Sequence, residues 1–145
     1  MTRLTTLLAL AAAVLAQAQP AWALSDAARQ RVEEEIAAAC DGGPGSFDPA
    51  GLVERDLDGD GREDLILSHE HIDCQGQPSR SIFCGMQVCS LHFYVRRGDL
   101  LRPAGEVLGS LGPITDTPMP VITTYGHGGG QALWRWNGQA FAPAP

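Results

Sequence analysis

The amino-acid sequence predicts a mainly β domain of the α+β class, in which one N-terminal helix packs on a small antiparallel β-meander. Three observations support this prediction. Apolar residues recur at every fourth position in one early segment, which is typical of an amphipathic helix. Several short runs rich in β-branched and aromatic residues follow, separated by glycine, proline or asparagine turns. Four cysteines are enough to connect these short elements by disulfides.

The first 23 residues have the features of a secretory signal peptide. Arg3 lies near the start, an apolar run extends from Leu7 to Ala18, and small residues precede the expected cleavage after Ala23. Residues 24–145 would then form a single exported domain, located in the periplasm or outside the cell. No second apolar stretch is long enough to insert in a membrane.

The charge of the chain argues against nucleic acid as a partner. The formal net charge is −7 at pH 7, and the sequence contains no lysine. A domain without a basic stripe cannot neutralise nucleic-acid phosphates.

The helix is predicted to extend from Ser25 to Cys40, with Ser25 or Asp26 as its N-cap. Its narrow apolar face would consist of residues spaced four apart: Ala28, Val32, Ile36 and Cys40. The run of three glutamates, residues 33–35, is expected on the solvated face. A segment rich in glycine and proline, residues 41–45, ends the helix.

The four cysteines are expected to form two disulfides because the chain is exported. Four cysteines allow three connectivities, and a zinc site is disfavoured because only Cys84 and Cys89 have nearly the spacing of a zinc-binding pair. These two enclose a short segment containing Gly85, so a small loop can close between them. Cys40 and Cys74 would then join the helix to the main body.

Alternating aspartates lie between the first two predicted strands, in a segment followed by aliphatic residues 65–67. Carboxylates at loop positions 1, 3, 5 and 9 can converge on one cation if the chain curls tightly, and the carbonyl at position 7 would add a ligand. Gly61 permits the left-handed backbone that such a curl needs. The pattern predicts a Ca²⁺ site with these ligands: Asp56, Asp58, Asp60, Asp64 and the carbonyl of Arg62.

Several other runs have the β-branched and aromatic content of strands. In chain order they cover residues 51–55, 65–72, 88–96, 100–101, 121–125 and 132–141, the last being a hairpin around Asn137-Gly138. The first two flank the aspartate loop and would form a hairpin tied by its metal ion. A long polar excursion is expected at 73–85, and an irregular segment at 103–120.

The aspartate loop and its flanking strands resemble the FG-GAP and VCBS repeat class, whose unit carries a D-x-D-x-D-G-x-x-D loop between two strands. The resemblance implies bound calcium but no particular activity. Repeats of that class occur in several copies that form propeller blades, whereas this chain has one copy. A closed propeller needs at least about four blades, so none is expected here. An EF-hand is disfavoured because Leu67 occupies the position of its terminal glutamate.

The histidines suggest an alternative site. His69 and His71 would share one face of the strand predicted at 65–72, and with His92 or His127 they could bind copper or zinc. The simpler interpretation places both on a solvated face, since spacing fixes no third ligand. No nucleophile elbow accompanies the glycine run after His127, so an esterase-like site is not supported.

The sequence therefore predicts a calcium-stabilised, non-catalytic binding or structural module. Tyr94, Tyr125 and Trp134 are expected to be exposed and to engage another protein or a cell-envelope glycan. The alternative is a small periplasmic enzyme or transition-metal handler that uses the four histidines: His69, His71, His92 and His127.

Overall fold

One α-helix, ten strands and three short 3-10 turns form the regular structure of the part of the chain that the computed structural model describes, residues 23–145. The helix, α1, spans Asp26–Ala39. The strands are β1 Gly45–Phe47, β2 Leu52–Arg55, β3 Asp64–Ser68, β4 Ile72–Cys74, β5 Ser90–Arg97, β6 Leu100–Leu108, β7 Ser110–Ile114, β8 Ile122–Tyr125, β9 Gln131–Trp136 and β10 Phe141–Pro143. The predicted signal peptide lies outside the described residues, apart from Ala23. Among residues 23–145, no helix has both the length and the apolar character needed to cross a membrane.

Two four-stranded antiparallel sheets pack face to face, and α1 covers the outer face of one of them. The helix-covered sheet, here called the central sheet, has the order β2-β3-β5-β6, and the second sheet has the order β10-β9-β8-β7. A short β1–β4 ladder lies beside α1. The predicted mainly β architecture is confirmed, and the sheets formed by residues 23–145 are open rather than closed into a propeller.

Both faces of the central sheet are buried, because the second sheet covers one face and α1 covers the other. Successive side chains of a strand point to opposite sides, so each central strand contributes to both interfaces. Phe93 on β5 packs between the two sheets with Ile122 and Phe141. Its neighbour Tyr94 packs under α1 with Leu65. Alternate positions of β5 therefore face the helix, and this alternation determines which polar side chains meet α1.

The predicted helix is confirmed, but one of its faces was assigned wrongly. Ser25 is the N-cap, and its hydroxyl accepts a hydrogen bond from the backbone N–H of Ala28 at 3.2 Å. Ala28, Glu35 and Ala39 are the buried residues of α1. Glu35 is only 8 % exposed, so the expectation that the whole glutamate run lies on the solvated face is wrong.

Both predicted disulfides are present. Cys40 at the end of α1 is bonded to Cys74 in β4, which fixes the helix to the β1–β4 ladder. Cys84 is bonded to Cys89 and closes the loop that precedes β5.

Two strand predictions need correction. The strand expected at 65–72 ends at Ser68, because His69–His71 forms a 3-10 turn before β4 begins. The segment expected to be irregular, 103–120, contains most of β6 and all of β7. β6 tolerates Pro103 because it is an edge strand, and a register irregularity opposite Phe93 and Tyr94 absorbs the extra residue.

Candidate functional site

The aspartate loop connects β2 to β3, as the sequence predicts. The two strands pair in antiparallel register, with Arg55 opposite Asp64 at the loop end of the hairpin. Gly59 and Gly61 have φ values of +81° and +83°, the left-handed conformation that favours glycine. The predicted role of Gly61 in the tight curl of the loop is confirmed.

Three of the four predicted carboxylates converge in this loop. One oxygen each from Asp56, Asp58 and Asp64 lies within 4.8 Å of the others. The carboxylate of Asp56 accepts hydrogen bonds from the backbone N–H groups of Gly59, at 2.7 Å, and Gly61, at 2.8 Å. These bonds fix the carboxylate and still leave lone pairs that could bind a cation.

Asp64 is the buried member of the group. Its carboxylate accepts backbone N–H groups from Leu57 at 2.8 Å, Asp58 at 3.1 Å and Arg96 at 2.7 Å. Burial raises the pKa of Asp64, although the hydrogen bond from the Arg96 N–H opposes this shift. A nearby cation would therefore stabilise its ionised form.

Asp60 lies outside the converging group. Its carboxylate pairs with the Arg62 guanidinium at 2.7 Å, and the hydrogen bond from Arg62 lowers the pKa of Asp60. Arg97 lies 2.8 Å from Asp58 and supplies one positive charge to the loop. Ligation by Asp60 and by the Arg62 carbonyl stays a prediction.

A second polar cluster lies beneath α1 and contains two of the four candidate histidines. His69 Nε2 is 3.0 Å from Glu35 Oε2, and His92 Nδ1 is 3.2 Å from the same oxygen. The two imidazole nitrogens are 3.4 Å apart. Glu35 comes from the buried face of α1, His69 from the turn after β3, and His92 from the helix-facing side of β5.

The carboxylate of Glu35 is held in its ionised form. Burial alone would raise the pKa of Glu35, but hydrogen bonds from His69, His92 and Tyr94 outweigh burial and hold the pKa well below its ordinary range. The Tyr94 hydroxyl donates to Glu35 Oε1. Burial and this carboxylate together raise the pKa of Tyr94.

The outer nitrogens of the two imidazoles have different surroundings, and among the described residues only that of His69 is hydrogen-bonded. His69 Nδ1 is 2.9 Å from the hydroxyl of Ser81, which is itself buried. His92 Nε2 is 3.6 Å from Glu106, whose carboxylate accepts a 2.7 Å hydrogen bond from Ser90. One side of the cluster borders a groove of about 470 Å³, lined by Arg31, Glu35, His92, Tyr94 and Glu106 among others.

The other two histidines lie elsewhere. His71 Nδ1 is 3.8 Å from Asp48, and His127 is in an exposed 3-10 turn before β9. The prediction that His69 and His71 share a strand face is wrong, because the 3-10 turn places His69 in the interior and leaves His71 half-buried.

The expected surface of exposed aromatic residues is only partly present. Tyr94 is 3 % exposed, so its predicted exposure is wrong. Trp134 is half-buried, and its indole N–H donates to Thr124 at 2.9 Å. Tyr125 is exposed, as expected. The most exposed of the large apolar side chains among residues 23–145 is instead Met86, at 98 %, in the loop closed by the second disulfide.

Sequence reasoning missed Glu35 as a member of a polar cluster, although its spacing from Ala28 and Ala39 was a usable signal. Positions 28, 35 and 39 recur at the helical period and so share one face.

A scan of the chain against protein-family models gave no match, and neither did searches of curated proteins and solved structures. The resemblance to FG-GAP and VCBS repeats therefore rests on the loop sequence.

Proposed function

We propose that the chain is a calcium-stabilised, exported binding module that does not catalyse a reaction. The observation that carries the proposal is the convergence of Asp56, Asp58 and Asp64 at the end of the β2–β3 hairpin. Calcium prefers carboxylate and carbonyl oxygens, and a short curled loop can supply several of them. Because three ionised carboxylates repel each other at these distances, a divalent cation among them would order the loop.

The loop is also connected to the rest of the domain. Asp64 accepts the backbone N–H of Arg96 at 2.7 Å, and the Arg96 guanidinium lies 3.1 Å from Glu54 and 2.8 Å from the hydroxyl of Ser25. Ser25 is the N-cap of α1. Ordering of the loop would thus be transmitted through Arg96 to the start of the helix, which supports a stabilising role for the ion.

The proposed partner is another protein or a cell-envelope glycan. Nucleic acid does not fit a chain with a formal net charge of −7. Ile82, Phe83 and Met86 are exposed apolar side chains, and they lie in or next to the loop closed by the Cys84–Cys89 disulfide. Apolar side chains held in a constrained exposed loop are typical of a contact surface.

The calcium proposal is tested by thermal melts and titration calorimetry of the mature protein, with calcium and with chelator. Calcium should raise the melting temperature of the wild type. The shift should disappear in an Asp56→Asn/Asp58→Asn variant and persist in Asp99→Asn, which removes a carboxylate from the β5–β6 turn. Identical melts with calcium and chelator, together with no heat of binding, would contradict the proposal.

The binding role requires a separate experiment. Immobilised protein would be exposed to envelope extract with calcium and then with chelator, in parallel with a Met86→Ser variant. We expect a partner to be retained only with calcium and to be lost from the variant. Turnover in a broad substrate panel would contradict the non-catalytic assignment.

A further inference from the structure

We propose that Glu35, His69 and His92 bind one divalent transition-metal ion of the zinc class, with one coordination position open to the groove beneath α1. The three ligand atoms are Glu35 Oε2, His69 Nε2 and His92 Nδ1. Two imidazole nitrogens and one carboxylate oxygen are the kind of set that zinc uses when it has three protein ligands. Calcium does not suit this site because it prefers oxygen ligands.

The triangle of ligand atoms has the right size for one such ion. Zinc bonds of about 2.0–2.2 Å at tetrahedral angles place neighbouring ligand atoms roughly 3.3–3.5 Å apart. The three separations are 3.0, 3.2 and 3.4 Å, which is at or slightly below that range. An ion about 1 Å out of the plane of the three atoms would reach all of them after small side-chain movements.

The hydrogen bonding of His92 is compatible with metal binding, although its Nδ1 also lies 3.1 Å from the Tyr94 hydroxyl. Its Nε2 atom is buried and has no hydrogen-bond partner among residues 23–145. This atom lies 3.6 Å from the Glu106 carboxylate, which can only accept when it is ionised. If the proton of a neutral ring were on Nδ1, the lone pair of Nε2 would face that carboxylate. If Nδ1 binds a metal ion, the proton must be on Nε2, where Glu106 can accept it.

His69 has the corresponding arrangement. With Nε2 bound to the ion, its Nδ1–H can donate to the Ser81 hydroxyl at 2.9 Å. The third ligand, Glu35, is held at its other oxygen by the Tyr94 hydroxyl. His69 and Glu35 therefore each have a hydrogen-bond partner on the side remote from the ion, as is usual in protein metal sites. His92 has the Glu106 carboxylate 3.6 Å from its Nε2, close enough to accept a hydrogen bond after a small movement.

Access to the site is from one direction. His69 is fully buried, whereas Glu35 and His92 border the groove of about 470 Å³. A metal ion held by three protein ligands would direct its fourth position into this groove. Arg31 and Glu106 both line the groove, and Arg31 is paired with Glu34 at 2.6 Å, so the groove carries charges of both signs. The open position is suited to water.

The test uses tag-free mature protein saturated with calcium, so that the aspartate loop does not compete for the second metal. Zinc chloride titration by calorimetry should give one bound zinc per chain, and cobalt should give the visible absorption of a low-coordinate nitrogen and oxygen site. His92→Ala should abolish both signals. His71→Ala and His127→Ala are matched controls, because these histidines lie outside the cluster, and both should bind zinc as the wild type does.

A second variant tests the hydrogen-bonding argument without removing a ligand. Glu106→Gln should weaken zinc binding by about 10- to 100-fold, because the amide accepts the Nε2–H of His92 less well than a carboxylate does. Circular dichroism establishes that each variant is folded. The proposal is overturned if calcium-loaded wild type binds no zinc, if His92→Ala binds it equally well, or if His127→Ala loses it. Calcium binding without zinc binding would overturn this site and leave the calcium proposal standing.

Discussion

The aspartate loop and the Glu35–His69–His92 cluster each bring three metal-binding side chains together, but they are assembled differently. The loop carboxylates belong to nine consecutive residues, 56–64, of one hairpin. In the cluster, Glu35 and His69 are 34 residues apart, and His69 and His92 are 23 apart. The loop lies largely at the surface, whereas the cluster lies in the interior beneath α1.

This difference shows which part of the fold each site depends on. The loop is shaped by its own side-chain-to-backbone hydrogen bonds, such as those from Gly59 and Gly61 to Asp56. Its geometry should therefore depend less on the docking of α1 than the cluster does, although Asp64 also accepts the backbone N–H of Arg96. The cluster exists only while α1 is docked on the central sheet. A perturbation of helix docking should therefore affect the two sites unequally.

The largest expected effect comes from removal of the Cys40–Cys74 disulfide, which links residues 34 positions apart and attaches α1 to β4. A Cys40→Ser/Cys74→Ser variant should lose about 4 kcal/mol of unfolding free energy, from the loop-closure entropy of the unfolded chain. It should also lose the zinc site while retaining the heat of calcium binding. Urea unfolding and calorimetry measure these quantities.

The Cys84–Cys89 disulfide provides the control, because it spans only 5 positions and does not hold α1. Its removal should cost about 2 kcal/mol and leave helix docking intact. Equal loss of calcium and zinc binding in the Cys40→Ser/Cys74→Ser variant would contradict the proposed difference in how strongly the two sites depend on helix docking.

The same distinction explains what could be predicted from the sequence. The helix cap at Ser25, the aspartate loop and the Asn137-Gly138 hairpin depend on neighbouring residues, so local patterns predicted them. The cluster depends on the register of β3 with β5, in which Leu67 lies opposite His92. No local pattern determines this register, so the meeting of His69 with His92 could not be predicted.

The burial of Glu35 could have been predicted from its position in the helix, but not from its residue type. The predicted apolar face consists of residues spaced exclusively four apart, from Ala28 to Cys40. Such a series drifts around the helix by about 40° at each step. The buried stripe instead follows alternating steps of four and three, through Val32, Glu35 and Ala39. Glu35 was overlooked because it is charged, not because its position gave no signal.

The next largest effect on stability is expected from substitutions of two aspartates in the aspartate loop, Asp64 and Asp60. Asp64→Asn should destabilise the protein by about 1–3 kcal/mol, because an amide nitrogen would replace one acceptor of three backbone N–H groups and leave a buried donor unpaired. Asp60→Asn should change stability by less than about 0.5 kcal/mol, because it removes only surface ion pairs with Arg62 and Arg97, and the amide oxygen can still accept the backbone N–H of Arg62. Denaturant unfolding in chelator measures both values, and equal losses would show that the loop is not organised around Asp64.

Lowering the pH should change the contributions of Glu35 and Asp64 to the stability of the protein in opposite directions. The pKa of Glu35 is held below its ordinary value of 4.5, so its contribution to stability is present above that pH and is lost as the pH falls. The pKa of Asp64 is raised above 3.8, so the folded state binds its proton more readily and stability falls as the pH rises through the raised value. The groups that face Glu35 are His69, His92 and Tyr94, with Arg31 over the tyrosine ring.

The two pH dependences can be measured by comparing unfolding free energies of the wild type, Glu35→Gln and Asp64→Asn in chelator, from about pH 7 to about pH 3. The advantage of the wild type over Glu35→Gln should shrink as the pH falls. Its advantage over Asp64→Asn should grow. Parallel pH profiles for the two variants would show that the environments of the two carboxylates do not differ as described.

The smallest expected effect tests whether Arg97 competes with calcium. Its guanidinium lies 2.8 Å from Asp58 in the loop and therefore neutralises a carboxylate that a metal ion would need as a ligand. The same guanidinium lies 5.6 Å from the centre of the Trp136 ring. Arg97→Gln should tighten calcium binding by about two- to fivefold, since ion pairs at the surface contribute at most about 1 kcal/mol. The Arg97 side chain is 41 % exposed, although that of Asp58 is only 3 % exposed. Arg29→Gln removes the same charge from α1, where the arginine pairs with Asp26, and should leave the affinity unchanged. A similar change in both variants would indicate a general effect of net charge. Weaker binding in Arg97→Gln would mean that Arg97 positions Asp58 for the ion, because competition between the guanidinium and calcium can only produce the opposite sign.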